Sequence, residues 1–262
     1  MPARAFDDLV RTITGDQPPR VWSLLVTVFG DLAQQEGARI GGPTLNRLTE
    51  LMGIKPEATR VALHRLRKDG WIDSRRAGRS STYGLTAWGR KQSAAASPRI
   101  YATGPLAESA WLVLTDPREG AERPGAVQVS PCIWIDVRRP DDDGVFSAEI
   151  AADTGLPDWM SAKVCDAGTC SQSQDVSIRC AELLKQLGSS PELSQPEAAA
   201  LRVLTVHGWR RLALKAPALP DFVFPNGWHG PQCRSLVAEL LAALPAPPLS
   251  DLERAAQADR AA

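Results

Sequence analysis

Basic side chains are concentrated in one short stretch of this chain. Between Lys55 and Arg79 there are eight lysines and arginines against three acids, whereas all 262 residues together carry 30 basic and 30 acidic side chains. Lysine and arginine bind phosphate oxygens, and arginine also forms paired hydrogen bonds with a guanine edge. A local basic stretch on a chain of zero formal net charge favours a specific DNA-binding module over a generally cationic binder.

Patterns for catalysis or metal binding are much weaker. Five cysteines, without a C-x-x-C pair, include Cys165, Cys170 and Cys180, which would be the basis of any metal or redox site. Their spacing is loose and no histidine is near them in sequence, so free thiols are the preferred interpretation. His207 has no metal-binding residue type three or four positions later, and is predicted to be a structural hydrogen-bonding residue. We therefore expect no catalytic residue, no metal and no cofactor.

The basic residues fall within a predicted helix-turn-helix. Thr44–Met52 has apolar residues at helical spacing, Gly53 supplies a tight turn, and Pro56 fits the first turn of a second helix that stops at Gly70. The second helix is predicted to turn one face inward (Ala58, Ala62, Leu63, Leu66) and the other outward (Glu57, Arg60, Val61, His64, Arg67). An outward basic face is what a recognition helix in a major groove needs.

A hairpin is predicted to follow. Trp71–Ser74 and Thr82–Leu85 are expected to pair as strands, joined by a loop over 75–81 that is rich in arginine. Such a loop suits phosphate contacts or minor-groove insertion, as in the wing of a winged helix. The predicted DNA-contacting residues are Lys55, Arg60, Val61, His64, Arg65, Arg67, Arg75, Arg76, Arg79 and Ser80.

The remaining patterns predict an α+β multidomain protein. Helices are expected at Phe6–Ile13, Pro19–Gln35, 86–96, 157–164, Ile178–Leu187, Gln195–Lys215 and Pro231–Leu244, and strands at Trp111–Thr115, Cys132–Val137 and Val145–Ile150. The expected domains are a winged helix-turn-helix at 1–97, a small α+β middle domain at 104–170 and a helical domain at 175–246. Residues 247–262 are expected to form a flexible tail.

The location expected from sequence is the cytoplasm. No apolar run approaches the roughly 18 residues of a membrane span, and MPARAFDDLVRTI lacks the apolar segment of a signal peptide. No membrane partner is therefore expected.

Several segments resemble the PaaX family of transcriptional repressors, which control phenylacetate catabolism in bacteria. They are VWSLLVTVFGDL, EATRVALHRLRKDGWI with the hairpin after it, LRVLTVHGWRR, PALP at 217–220 and PNGWHG at 225–230. The likeness extends from about Arg20 to Leu244. It implies a homodimer with an N-terminal winged helix, a ferredoxin-like middle domain and a helical C-terminal domain. It also implies release from the operator by phenylacetyl-coenzyme A.

One departure from the family concerns the middle domain. The family usually has a full helix between the strands matching Trp111–Thr115 and Cys132–Val137, where this chain has a segment rich in proline and glycine. The ferredoxin-like unit is therefore expected to be abbreviated, and the identity of the effector stays open.

A pocket for a coenzyme A thioester needs arginines beside an apolar slot. The predicted effector-binding residues are Arg202, His207, Trp209, Arg210, Arg211 and Trp228. The alternative is that both tryptophans belong to the core and that the arginines cap or solvate a helix.

The motif and its charge predict sequence-specific binding to double-stranded DNA, and the resemblance implies a repressor of a catabolic operon that binds a near-palindromic site as a homodimer. One alternative is an enzyme acting on a coenzyme A thioester with a fused winged helix. Another is an architectural or nuclease-like protein. A nuclease would use Asp136 and the acids at 141–143, although a turn before Gly144 explains those acids better.

Overall fold

The computed structural model describes residues 3–15, 19–77, 80–116, 118, 122–142, 144–189 and 192–261. In these residues the chain forms a mixed α+β structure of ten α-helices and two antiparallel sheets. The helices are α1 (Ala3–Thr14), α2 (Val21–Leu32), α3 (Gly42–Leu51), α4 (Pro56–Lys68), α5 (Ala87–Ile100), α6 (Asp158–Val164), α7 (Ala167–Ser189), α8 (Gln195–Lys215), α9 (Gly230–Ala243) and α10 (Leu249–Ala261). The strands are β1 (Ile40–Gly41), β2 (Ile72–Ala77), β3 (Ser80–Leu85), β4 (Ala110–Leu114), β5 (Val127–Ser130), β6 (Ile133–Asp136) and β7 (Phe146–Ile150).

The chain divides into two compact units. The first unit comprises Met1–Pro98, Ile178–Trp209 and Leu236–Ala262, and the second comprises Arg99–Ser177 and Arg210–Ser235. The helical stretch predicted as a separate domain at 175–246 is thus distributed over both. In the first unit its residues are tied to α2, because Arg202 pairs with Asp31 and His207 hydrogen-bonds Thr27. Long-range polar contacts of this kind have no signature in local sequence patterns.

Three helices and a small sheet form the N-terminal part of the first unit. Helices α2, α3 and α4 pack together through large apolar side chains that are almost fully buried (Leu24, Leu25, Phe29, Leu45, Leu48, Leu66). Strand order in the sheet is β1-β3-β2. Gly53 and Gly70 have φ angles of 76° and 75°, and end α3 and α4 in the left-handed conformation that glycine adopts at least cost. Pro56 begins α4, as predicted from its missing N–H.

The C-terminal segment is helical, whereas the sequence predicted a flexible tail. Helix α10 packs against α3 and β1, and buries Leu252 and Ala256, four residues apart on one face. The carboxylate of Glu253 accepts a hydrogen bond of 2.6 Å from the backbone N–H of Gly41, which caps α3. The narrow apolar stripe of α10 is sufficient to hold it in place, because the Glu253 carboxylate also interacts favourably with the N-terminus of α3.

The second unit is built on a four-stranded antiparallel sheet of order β5-β6-β4-β7. Three of its strands match predicted ones, while the four-residue β5 was missed. A ferredoxin-like unit has a helix in each of its two strand crossovers. The described parts of 115–126 and 137–145 contain no helix. The sequence predicted the lack of a full helix for the first of these two segments only.

One face of this sheet forms the core of the second unit. Ala110, Ile135 and Val129 are buried there, together with the ring pair Phe224 and Trp228, which stack with centroids 5.0 Å apart. Burial of several such side chains, each contributing about 1.5–3 kcal/mol, stabilises the sheet against its helices. Among the described residues, no helix combines the length and apolar character needed to cross a bilayer.

Candidate nucleic-acid interface

Helix α4 is held so that one side faces outward. Its inner side buries Thr59, Ala62, Leu63 and Leu66. The hydroxyl of Thr59 lies 2.8 Å from that of Thr49 on α3, and both threonines are 0% exposed. Because buried polar groups must be hydrogen-bonded, this pair restricts how α3 and α4 can cross. The sequence reasoning missed it, although two threonines at inward-facing positions of adjacent helices were the available signal.

The outward side of α4 presents the predicted contact residues together. Arg60, His64 and Arg67 are exposed, and so is Lys55 immediately before the helix. Val61 lies among them with 70% of its surface exposed. A stripe of cationic, polar and apolar groups on one accessible helix face can contact phosphates, base edges and thymine methyl groups.

Arg65 is placed differently from the other predicted contacts on this helix. Its guanidinium lies over the ring of Trp22, 5.7 Å from the centroid, and its Nε is 3.6 Å from Asp69. Its side chain is still 70% exposed. These two neighbours direct Arg65 toward the flank of α4 that meets α2.

The hairpin is longer than predicted, which changes the position of two arginines. Arg75 pairs with Thr82 and Arg76 with Ser81, so both arginines belong to strand β2 and not to the loop. Adjacent strand residues point to opposite faces, so only one of the two side chains can lie on a given face of the hairpin. The last pair is Ala77 with Ser80. Gly78 and the predicted contact Arg79 lie outside the described residues.

An arginine that sequence reasoning did not select supports the hairpin. Arg39 forms an ion pair of 2.6 Å with Asp73, and its Nε donates to the Thr82 hydroxyl at 3.0 Å. Asp73 lies on the same face of β2 as Arg75, two residues away. Arg39 therefore offsets the one acidic charge on that face and leaves it with a net positive character.

Aromatic rings and a capping threonine hold the base of the hairpin. Trp71 makes edge contacts with Trp22 at 6.0 Å and with Trp88 at 5.0 Å between centroids. The hydroxyl of Thr86 accepts a hydrogen bond from the N–H of Gly89 at 3.0 Å and so caps α5, as its residue type predicted. A Cβ on Gly89 would lie 2.2 Å from the Trp71 carbonyl oxygen, so this crossing needs glycine.

Two family descriptions match these parts of the chain. "PaaX-like protein" matches residues 20–89, which include α2, α3, α4 and the hairpin, and "PaaX-like protein C-terminal domain" matches residues 172–249. The chain belongs to the PaaX-like family. Its members are regulatory proteins, so this chain is a regulator and not an enzyme.

Sequence identity to individual proteins is low. The transcriptional repressor PaaX of Escherichia coli (strain K12) is 27% identical over 264 residues, which cover 88% of this chain and 82% of that protein. Among solved structures, the uncharacterized protein Rv0674 from Mycobacterium tuberculosis has 17% sequence identity and a TM-score of 0.47, over 90% of this chain and 97% of that one.

In this PaaX-like chain, Arg202 makes several contacts within the first unit. Its Nε and Nη2 atoms lie 2.8 and 3.0 Å from the two carboxylate oxygens of Asp31. Its Nη1 donates to the carbonyls of Leu244 at 3.0 Å and Leu241 at 3.3 Å. The Asp31 side chain is 1% exposed and that of Arg202 is 13% exposed. These contacts give Arg202 a structural role inside the first unit, and the effector role predicted for it stays a prediction.

Three more of the predicted effector residues are interior. His207 is 5% exposed and its Nδ1 lies 3.1 Å from the Thr27 hydroxyl, in line with the structural role predicted for it. Trp209 is 2% exposed in the first unit, and Trp228 is 8% exposed in the second. Both tryptophans are buried in the cores of their units, and the effector role predicted for them stays a prediction. The burial of these tryptophans is determined by tertiary packing, because the sequence has no feature that separates a core tryptophan from a pocket tryptophan.

The last two predicted effector residues lie at the end of α8 in the second unit. Arg211 is exposed, whereas Arg210 is half-buried, and burial lowers the pKa of its guanidinium. Of the predicted set, Arg211 is the side chain with the greatest access to a dissolved ligand.

Four of the five cysteines (Cys165, Cys170, Cys180 and Cys233) are buried, and Cys132 is half-buried. Cys165 and Cys170 lie with their sulfurs 3.6 Å apart, and both are buried. Burial, together with the neighbouring Cys170 thiol, raises the pKa of Cys165 to about 12, and burial raises that of Cys180 to about 12. Neutral thiols are poor metal ligands and poor nucleophiles. Within the described ranges, no cluster of three or more metal-binding side chains is present.

Proposed function

We propose that this PaaX-like protein is a transcriptional repressor that binds a specific site on double-stranded DNA. The proposed DNA-binding element is a winged helix-turn-helix made of α2, α3, α4 and the β2–β3 hairpin. The observation that carries this proposal is the outward face of α4, where Arg60, Val61, His64 and Arg67 are exposed together. Helix α3 holds that face in a fixed orientation through the buried hydrogen bond between Thr49 and Thr59.

Each exposed group on α4 suits a different DNA contact. Arg60 lies in the first turns of the helix, where base contacts concentrate in helix-turn-helix proteins, and it can form two hydrogen bonds with guanine. Val61 offers an apolar surface for a thymine methyl group. Lys55 and Arg67, near the two ends of the helix, suit phosphates.

The hairpin provides the second part of the interface. Arg75, Arg76 and Arg79 are proposed to contact phosphates or enter the minor groove. Because Arg75 and Arg76 point to opposite faces of β2, we propose that one of the two dominates the contact. Ser80 follows the tip and can donate its hydroxyl proton to a phosphate oxygen.

Sequence reading by α4 can be tested with Arg60→Ala. A bidentate arginine–guanine contact gives about 1–3 kcal/mol of discrimination, which corresponds to a roughly 5- to 150-fold loss in the ratio of operator to random-DNA affinity. The ratio is measured by fluorescence anisotropy with both duplexes at one salt concentration. Lys185→Ala, which removes an exposed charge from α7, is the matched control and should leave the ratio unchanged. An unchanged ratio for Arg60→Ala would assign Arg60 to the backbone.

The wing is tested by salt dependence. Removing one phosphate contact lowers the slope of log affinity against log salt by about one and weakens binding to all duplexes alike. We expect this from Arg79→Ala and from either Arg75→Ala or Arg76→Ala. If all three variants keep the parent affinity and slope, the hairpin does not contact DNA.

We propose further that the repressor acts in the cytoplasm as a homodimer on a near-palindromic operator of a catabolic operon. A small-molecule effector, with a coenzyme A thioester such as phenylacetyl-coenzyme A as the leading candidate, is proposed to release it. Such a ligand lowers operator affinity only by its differential affinity for the two conformations. Among the predicted effector-binding residues, the exposed Arg211 is the candidate contact for the coenzyme A phosphates.

The effector proposal is tested by titrating the protein–operator complex with aryl- and acyl-coenzyme A thioesters in a gel-shift assay. The thioester should release the DNA, and Arg211→Ala should raise the concentration needed for release without changing operator affinity. Release by the free acid alone, or no response to any thioester, would exclude this class of effector and would leave the DNA-binding proposal intact.

A further inference from the structure

The basic segment that holds α4 and the hairpin contains three acidic side chains, and they are placed differently. The Asp69 carboxylate lies 3.6 Å from Nε of Arg65, and the Asp73 carboxylate lies 2.6 Å from the guanidinium of Arg39. Glu57 is exposed, and its carboxylate has no ion pair or hydrogen bond with any residue that the structure describes. Among the described acids of this segment, Glu57 is therefore the one whose carboxylate is free to bind an outside partner.

Glu57 lies in the first turn of α4, beside the arginine proposed to contact guanine. Helical residues three positions apart are neighbours, with about 5–6 Å between their Cβ atoms, so Glu57 and Arg60 share one surface of the helix. Both side chains are exposed there, while Thr59 between them is fully buried on the opposite side. Base contacts concentrate at the N-terminal residues of a recognition helix. Glu57 therefore occupies a position from which a base edge can be reached.

A carboxylate at this position has one good partner in the major groove. Cytosine presents its N4 amino group there, which donates a hydrogen bond, whereas guanine presents two acceptors and thymine an acceptor and a methyl group. Adenine presents a donor, but its N7 acceptor lies beside that donor and repels a carboxylate. A carboxylate is also repelled by the phosphates of any duplex, so it lowers affinity for DNA in general. Only a cytosine offsets this cost.

We propose that Glu57 is a specificity-determining residue that accepts a hydrogen bond from N4 of a cytosine, in the base pair next to the guanine bound by Arg60. Three residues advance a helix by about 4.5 Å, and one base-pair step is about 3.4 Å, so the two side chains reach neighbouring pairs. The DNA site should thus contain two consecutive pairs of guanine and cytosine. This inference deepens the proposed function and rests on it.

A structural role for Glu57 makes a different prediction. A carboxylate in the first turn of a helix interacts favourably with the positive end of the helix dipole, and this role needs only the charge. Loss of such a contact would weaken binding to all sequences alike. Base preference, and not affinity alone, is therefore the quantity that separates the two roles.

The test begins with selection of a binding site by the full chain from a library of randomised duplexes. Each base pair of the selected site is then replaced in turn, and dissociation constants are measured by fluorescence anisotropy at one salt concentration. Glu57→Ala should lower the preference for cytosine at one base pair by about fivefold or more. That pair should adjoin the pair at which Arg60→Ala lowers the preference for guanine. Affinity for random DNA should rise, because an acid has been removed from the interface.

A second variant changes the preference instead of removing it. Glutamine forms two hydrogen bonds with N6 and N7 of adenine, so Glu57→Gln should move the preference at that base pair from cytosine to adenine. Loss of a helix-dipole contact cannot produce such a change. Glu36→Gln removes an exposed carboxylate between α2 and β1, and is the matched control that should leave every base preference unchanged. Circular dichroism checks that each variant is folded, and Glu57→Gln, which keeps the shape of the side chain, decides the question if Glu57→Ala is not.

The inference alone fails if Arg60→Ala changes a base preference but both Glu57 variants keep the parent preferences at every base pair. It also fails if the Glu57 variants act at a pair that does not adjoin the pair affected by Arg60→Ala, or if Arg60→Ala affects no pair. A chain that selects no sequence from the library would overturn the proposed function and this inference together.

Discussion

The ion pair between Arg202 and Asp31 leads to a prediction that separates a structural arginine from a ligand-binding one. Arg202→Ala leaves the carboxylate of Asp31, 1% exposed, without its two guanidinium donors, and leaves the carbonyls of Leu241 and Leu244 without their partner. Breaking a buried ion pair from one side costs about 3–5 kcal/mol. We therefore expect Arg202→Ala to lower the free energy of unfolding by about 3–5 kcal/mol.

The assay is urea denaturation followed by circular dichroism, with linear extrapolation to zero denaturant. The control Lys185→Ala removes an exposed cation, and should leave the free energy of unfolding nearly unchanged. In the double variant Asp31→Ala/Arg202→Ala neither charge is left unpaired, so its cost should be well below the sum of the two single variants.

Two outcomes would refute the structural assignment. A loss of less than about 1 kcal/mol is typical of exposed ion pairs and would mean that the pair does not persist in solution. A stable Arg202→Ala variant that needs more effector for release would instead assign Arg202 to the ligand site.

Three further predictions concern close packing and buried polar groups. Gly230→Ala should destabilise the second unit by about 1–3 kcal/mol, because the new Cβ would lie 2.2 Å from the indole nitrogen of Trp228. Gly208→Ala should instead stabilise the protein by about 0.5–1 kcal/mol, because the position is helical and its Cβ would have no atom within 4 Å. Equal effects of the two in urea denaturation would contradict the packing at Gly230. Thr59→Val should cost about 1 kcal/mol through its lost buried hydrogen bond, and a neutral result would show that the α3–α4 crossing does not depend on it. Since burial raises the pKa of Cys165 to about 12, its thiolate is scarce at pH 8 and becomes abundant only near that pKa, so iodoacetamide should modify it far more slowly than the half-buried Cys132. Mass spectrometry of the labelled chain measures both rates, and equal rates at pH 8 would contradict this burial.

The part of the fold predicted best from sequence is the one made of local signals. Glycines in the left-handed conformation at positions 53 and 70, a proline at the start of α4 and a threonine cap at the start of α5 each act within a few residues. Helical spacing alone also predicts the inward and outward sides of α4, because side chains three and four residues apart share a face.

Strand ends and the C-terminal helix were predicted less well. Arg75 and Arg76 have the residue types of a loop, but cross-strand pairing with β3 extends β2 through both of them. The tail after Pro248 buries Leu252 and Ala256 among its described residues, and its order comes from docking against α3 and β1. Both results depend on a partner elsewhere in the chain, which local propensity does not contain.

The sequence by itself determined membership of the PaaX-like family, the mixed α+β class, and the basic outer face of the second helix of the motif. Only the tertiary structure decided that Arg202 is an ion-pair partner of Asp31, that Trp209 and Trp228 are buried, and that β7 is an edge strand with Phe146 exposed. The physical reason is the distance along the sequence over which each kind of interaction acts. Helical periodicity, caps and turns act over a few residues and can be identified in one segment. Whether an arginine binds a ligand or a buried carboxylate depends on which groups the fold brings within about 3 Å of it, from anywhere in the chain.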